Sequence, residues 1–225
     1  MISGNKIMEM QEILREKGYY SGDIIGEVNN EMINAIKIVN LINNTEISIE
    51  ETTEICYEIE QIVPYSSIYD QYGAAISGAT WAAAYSNSSL SPTDCLARVI
   101  YAEDTTHTNG HYAVAKVIYN RYNFSKNRGY FSKDGLNPPT WKSILFKAGA
   151  FSTTSSSCAN AYAPTHNSYW NSAVDRAVSL VAGAVPSTSV GAQPYFRTKG
   201  TTLPAGASSI ITIGGNTFFH LPDSV

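Results

Sequence analysis

Residues 96–103 read Leu96-Ala97-Arg98-Val99-Ile100-Tyr101-Ala102-Glu103. Leu96, Val99, Ile100 and Glu103 recur at i, i+3, i+4 and i+7, which is one face of a helix. Three members of the stripe are large aliphatics suited to a core, and the fourth is a carboxyl group. An ionised carboxylate buried without a partner is costly, so such a group shifts its pKa upward. A carboxyl that stays protonated near neutral pH can serve as a general acid. The competing reading places Glu103 just past the helix end, in water.

The segment before the stripe supports the helix. Ser91-Pro92-Thr93-Asp94 offers an N-cap hydroxyl, proline at the first helical position and an acid in the first turn. Downstream, Gly110 to Tyr122 predicts a second helix with Val114, Val117, Ile118 and Arg121 on one face. Pro138-Pro139-Thr140 leads into a short helix carrying Trp141, Ile144 and Leu145. Trp170, Ala173, Val174, Ala177, Val178 and Val181 form the cleanest helical stripe of the chain. After Gly183 the period changes. Ile210-Ile211-Thr212-Ile213, Gly214-Gly215-Asn216 and Thr217-Phe218-Phe219 read as a β-hairpin around a glycine-rich turn.

Upstream, Ile7, Met10, Ile13 and Leu14 make a helical stripe that closes at Gly18. Met32, Ile33, Ile36 and Val39 make a second. A third helix runs from about Ser48 to Ile62, opening on the capping-box spacing Ser48-Ile49-Glu50-Glu51. Residues 64–90 are rich in small residues, with Tyr69, Tyr72, Trp81 and Tyr85 interspersed, which predicts a linker partly packed on the next domain. The expected organisation is a three-helix module over 1–63, this linker, and a catalytic domain over 91–225. The expected fold class is α+β and mainly helical.

The net charge of −4 and a charged fraction of only 15% argue against a nucleic-acid partner, which needs a basic face. With 44% hydrophobic residues the chain is not disordered. Its polar residues are largely Ser, Thr, Asn and 15 Tyr, a composition suited to hydrogen-bonding and stacking on sugars. No run of about 18 apolar residues predicts membrane insertion. The start, Met-Ile-Ser-Gly-Asn-Lys, lacks the pattern of a signal peptide, so synthesis in the cytoplasm is expected. Cys56, Cys95 and Cys158 are odd in number and widely spaced, fitting neither a disulfide framework nor a zinc knuckle. No metal or cofactor is expected.

Two resemblances add to this reading. Gln11-x-x-Leu14-x-x-x-Gly18-Tyr19-Tyr20-x-Gly22-x-x-x-Gly26, followed by Ala35-Ile36-Lys37, resembles the peptidoglycan-binding three-helix module found beside many cell-wall hydrolases. The aromatic-Gln pair that usually closes its second helix is Val39-Asn40 here. Leu96 to Glu103, then Gly110-His111-Tyr112-Ala113-Val114-Ala115-Lys116-Val117-Ile118-Tyr119-Asn120-Arg121, resemble the SleB/CwlJ type of cell-wall hydrolase. Phe151-Ser152, Gln193-Pro194-Tyr195-Phe196 and Ile213 to Phe219 follow in the same order. Ala150 stands where that family often has Gln, and Arg197-Thr198 replace its Asn-Pro.

The resemblance implies a lysozyme-like helical domain with a small β element, cleaving the glycan strands of peptidoglycan. Glu103 matches the family's catalytic acid. Tyr101, Phe151, Ser152, Tyr195 and Phe196 are candidates to contact substrate, with ordinary packing as the alternative for each. Arg121, with Asn120 beside it, is a candidate to hold the acid or to pair with Asp94. A single acid suffices if the muramic acid's own primary hydroxyl attacks, giving an anhydro sugar, whereas attack by water usually needs two carboxyls. No second acid has a positional signature, which favours lytic transglycosylation. The expected place of action is the bacterial wall, the spore cortex or a phage particle, with assembly into a phage tail or spore coat open.

Three rivals remain. Thr93-Asp94-Cys95 resembles the Asp-Cys start of NlpC-type cysteine peptidases, with His166 or His220 as the base. However, Leu-Ala-Arg follows Cys95, not the small Ser-Gly step. His107-x-x-x-His111 has the spacing of zinc ligands, but Gly110 is expected to interrupt the helix and the central Glu is absent. The third rival is a wall-binding structural protein with no active site.

Overall fold

The computed structural model describes residues 3–49 and 55–222. The described residues through Gln71, with Ala182–Ala184, make one compact unit, and the described residues of Tyr72–Val181 and from Val185 on make another. Among the described residues no helix is long and apolar enough to cross a membrane.

The first unit contains α1 (Gly4–Glu16), α2 (Asn30–Asn43) and α3 (Ile55–Gln61). Ser3 caps α1 by accepting from Lys6 N, and Asn29 caps α2 by accepting from Met32 N at 2.8 Å. Met10, Leu14, Met32, Val39 and Ile59 are fully buried, so the stripes expected on the first two helices do face a core. Ile33 is only half-buried, and Ala35 packs inward instead. Gln11 explains part of the Gln…Gly-Tyr-Tyr pattern. Its buried amide accepts from Ile25 N and Gly26 N, both at 3.1 Å, and donates to Glu27 O at 3.0 Å, pinning the turn between α1 and α2. The capping box expected at Ser48–Glu51 falls partly outside the described residues. Tyr65–Asp70 forms a 3-10 turn whose Ile68 is fully buried, and Tyr65 meets Tyr19 edge-on at 5.3 Å.

The second unit is built from α4 (Gly78–Ala82), α5 (Pro92–Glu103), α6 (Thr108–Arg128), α7 (Trp141–Leu145), α8 (Ala159–Tyr162) and α9 (Ser168–Val181), then β1 (Tyr195–Thr198), β2 (Ser208–Ile213) and β3 (Asn216–His220). Helix α5 is more than one-faced: every residue from Thr93 to Tyr101 is buried, as befits a central helix. Ser91 caps it by accepting from Asp94 N at 3.1 Å. Its one buried cation, Arg98, is fully compensated. The Nε donates to Asp94 at 3.0 Å, and the remaining nitrogens donate to the carbonyls of Ala74, Ala161 and Tyr162. A paired, hydrogen-bonded charge is the form in which a guanidinium can be buried.

Helix α6 runs past Tyr122, where the apolar stripe ends, to Arg128, and Gly129 closes it in the left-handed region. The extra length packs through Phe124, 6.1 Å from the Phe131 ring, and Ser125, whose Oγ accepts from Phe131 N at 2.9 Å. The expected hairpin is present as β2 and β3, pairing Ile213 with Asn216 across Gly214-Gly215. β1 was not expected. It joins the other edge of β3, with Tyr195 opposite Phe219, to make an antiparallel sheet in the order β1-β3-β2. Phe218 from β3 is fully buried against Ala113 and Val117 of α6, with Phe196 and Ile211 packed around them. The fold is a mainly helical α+β one.

Trp81 ties the stretch before α5 to the loop after α7. It is fully buried, meets Phe146 edge-on at 5.2 Å and donates its indole N–H to Thr153 O at 2.8 Å. Trp81→Ala should therefore cost about 3–5 kcal/mol of stability, the range for truncating a large buried aromatic. Trp81→Phe should recover most of that while freeing the Thr153 carbonyl. Urea unfolding of the three proteins tests this, and an alanine variant within about 1 kcal/mol of wild type would contradict the packing assigned to Trp81.

Candidate active site

Glu103 is the last residue of α5, where the helix carbonyls disfavour a negative charge. Burial pushes its carboxyl above the usual carboxylate range. A hydrogen bond from Thr153 Oγ1 to Oε1 at 2.7 Å and the charge of Arg121 offset this only in part. The carboxyl lies on a cleft of about 340 Å³ whose walls include Ala150, Phe151, Ser152, Phe196, Thr198 and Asn216. Four sequence candidates therefore come together here: Glu103, Phe151, Ser152 and Phe196. Thr153 and Asn216 join them unforeseen. Asn216, buried at the start of β3, donates its side-chain amide to Glu103 O at 3.1 Å and so fixes the helix end to the sheet.

The neighbouring acid does a different job. Asp104 ends α5 in an extended conformation, and its side chain is 2% exposed. Oδ2 accepts from Gly215 N at 3.0 Å, while Oδ1 faces Thr106 N and His107 Nδ1. Burial alone would raise its pKa, but these donors together outweigh burial and hold it below the ordinary value. Close approach demands glycine around it. A Cβ at Gly110 would lie 2.0 Å from Oδ2, and one at Gly214, where φ is +57°, would lie 2.4 Å from it. Asp104 thus clamps the β2–β3 turn to the α5 terminus, which places Asn216 beside Glu103.

Arg121 is buried but does not pair with Asp94, which is taken by Arg98. Its Nε donates to Pro194 O at 2.7 Å and Nη1 to Ala150 O at 2.9 Å, and its guanidinium lies 4.5 Å from the Phe151 ring centre. Burial lowers its pKa to about 10, opposed by the charge of Glu103, so it stays cationic at neutral pH. Asn120 donates to the carbonyls of Gly191 and Gln193, at 3.1 and 3.0 Å. The pair therefore holds the chain that leads into β1 and, through Ala150 and Phe151, the opposite cleft wall. Tyr101 is not brought to the cleft: it is buried edge-on against Trp170 at 5.8 Å. Tyr195 stacks on Phe219 at 5.9 Å and borders Phe131, away from the cleft lining.

No family model, curated protein or solved structure matches the chain.

The residues of the rival chemistries are otherwise occupied. Cys95 is fully buried on α5, and burial pushes its thiol up to about 12, the wrong direction for a thiolate nucleophile. His166 stacks on Trp170 at 5.3 Å, and His220 lies on β3 opposite Ser208. Gly110 does not interrupt α6, as the sequence suggested, but sits in its first turn. His107 precedes that turn, and both imidazoles engage Asp104: His107 through the carboxylate and His111 through Nε2 to the carbonyl at 2.6 Å. Among the described residues no group of three or more His, Cys, Asp or Glu side chains is placed to hold a metal ion.

Proposed function

We propose that the protein cleaves the glycan strands of peptidoglycan, with Glu103 as the only catalytic acid and base. The observation that carries this reading is a carboxyl raised in pKa by burial, facing a cleft with aromatic side chains in its walls. Among the described residues lining that cleft, Glu103 is the only acid. Protonated Glu103 gives its proton to the glycosidic oxygen, which leaves as a neutral alcohol with both electrons of the C–O bond. The carboxylate then takes the proton of the muramic acid primary hydroxyl as that oxygen attacks the same anomeric carbon. The product is an anhydro sugar, and Glu103 ends the cycle protonated. Such a route needs no second protein carboxylate, unlike the usual two-carboxyl hydrolysis. Asp104, spent on Gly215 and His107, does not supply one. The resemblance of residues 96–121 to the SleB/CwlJ type, with its lysozyme-like fold, supports the substrate class.

Digestion of purified peptidoglycan in ¹⁸O-water, followed by mass spectrometry, tests this directly. Unlabelled fragments one water lighter than the reducing sugars are expected. Label at the new reducing ends would show hydrolysis instead, and absence of glycan fragments would remove the reading altogether.

The first unit is assigned wall targeting on the resemblance of the Gln11 to Gly26 pattern, and its own buried core makes it a unit that can be removed by itself. Removing residues 1–71 should weaken sedimentation with insoluble peptidoglycan while soluble glycan is still cleaved. Equal sedimentation of the full and shortened chains would remove the targeting role.

A further inference from the structure

A second and larger cavity, of about 690 Å³, lies on β2 and the β2–β3 turn, outside the Glu103 cleft. Its lining offers hydroxyls and one side-chain amide and, among the described residues, no carboxylate, ammonium, guanidinium or thiol: Asn109, Tyr112, Ser187, Thr188, Ser189 and Thr212, with Ile213 and Gly214. Such a lining has no charge to balance a metal, phosphate or carboxylate. It suits a neutral ligand with many hydroxyl groups and an apolar ring face. The Tyr112 ring is held by the Arg176 guanidinium, 4.1 Å from its centre. The turn at one wall is fixed by Asp104 through Gly215 N. Asn109 and Gly214 also line an adjoining cavity of about 290 Å³, which adds Thr106, His107 and Tyr169. Together the two form an extended groove. Each is of the order of a small-ligand site, roughly 300–1,000 Å³, so the groove has room for more than one sugar ring.

We propose that this groove is a neutral-oligosaccharide-binding site distinct from the Glu103 cleft. Its hydroxyls and the Asn109 amide take the sugar hydroxyls, and the faces of Tyr112 and Tyr169 take the rings. The site stands on its own lining and does not depend on the reaction assigned to Glu103.

The probe is the N-acetylglucosamine tetramer, titrated into the full ¹⁵N-labelled chain and into Asn109→Leu, Tyr112→Ala and Glu103→Gln variants. Amide shifts at residues 109, 112, 188 and 212 are expected to saturate with one affinity. Asn109→Leu, at an exposed position without core contacts to lose, and Tyr112→Ala should each weaken that affinity at least tenfold. Glu103→Gln should leave it within about twofold. Shifts confined to residues 103, 151, 152 and 196, or no binding at millimolar tetramer, would overturn the proposal. So would groove shifts whose affinity is unchanged in Asn109→Leu, which keeps the test decisive if Tyr112→Ala fails to fold. Loss of glycan cleavage in Glu103→Gln bears on the catalytic reading alone, so the two can fail separately.

Discussion

Glu103→Gln is expected to fold, to sediment with peptidoglycan as the wild type does, and to release essentially no glycan fragments. Glutamine keeps the shape and still accepts from Thr153 Oγ1, but it has no proton to give. General acid catalysis is worth roughly 10²–10⁴-fold in rate, so the loss should be at least that large. Residual activity within about tenfold of wild type would place the acid elsewhere. A second readout separates lost chemistry from lost structure. Burial raises the Glu103 pKa, so the folded protein holds this proton more tightly than the unfolded chain does. That contribution to stability is fully present below the ordinary carboxylate value and is lost as pH rises through the raised folded value. Glutamine does not titrate. The melting temperature of Glu103→Gln relative to wild type should therefore climb from acid to neutral pH. A flat difference would mean that Glu103 ionises freely in the folded state.

Arg121→Met is the second substitution with a large expected effect. Methionine covers the Phe151 ring but leaves the carbonyls of Ala150 and Pro194 without their donor, at about 1–3 kcal/mol each. It also removes the nearby positive charge that favours ionised Glu103. The Glu103 pKa should rise further, so the limb on which activity falls with increasing pH should move upward. Arg121→Lys keeps the charge but lacks the planar fork that serves both carbonyls. It should leave the limb near its wild-type position while losing part of the stability. Unfolding curves and pH–rate profiles of the two variants check this, and a limb at the same pH in Arg121→Met would end the tuning role of Arg121.

Local pattern was enough for α5. Ser91-Pro92-Thr93-Asp94 starts it, and the spacing of Leu96, Val99 and Ile100 turns those side chains into the core with Glu103 in line behind them. The stripe of α9, the first two helices of the N-terminal unit and the β2–β3 hairpin were legible for the same reason, since each is a short-range pattern of apolar residues or turn glycines. The stripe left Glu103 open between core and water, and the fold leaves it half-buried at the cleft. Past the stripes, local pattern no longer marks the elements. The last turns of α6 depend on Phe124 meeting Phe131 and on Ser125 Oγ accepting from Phe131 N. β1 is four residues whose only partner is β3, some twenty residues on, so nothing local marks it as a strand.

The surroundings of Glu103 belong to tertiary structure. Thr153 sits in a run of hydroxyl residues, Ser152 to Ser157, in which no local signal singles it out. Trp81, brought from before α5, holds its carbonyl so that its hydroxyl meets Glu103. Tyr101 and Tyr195 looked as suited to sugar as Phe151 and Phe196 did, because aromatic identity does not say which way a ring faces. Trp170 and Phe219 took the first two into packing. Arg98 and Arg121 were equally open to Asp94 by charge, and the i, i+4 geometry of α5 gave Asp94 to Arg98. The chain alone therefore determined which helix carries the acid and that it lies in line with a core stripe, because both follow from periodicity along one segment. Which groups face that carboxyl was decided only when separate segments met. Those contacts are between residues far apart in sequence, and their geometry exists only in the folded protein.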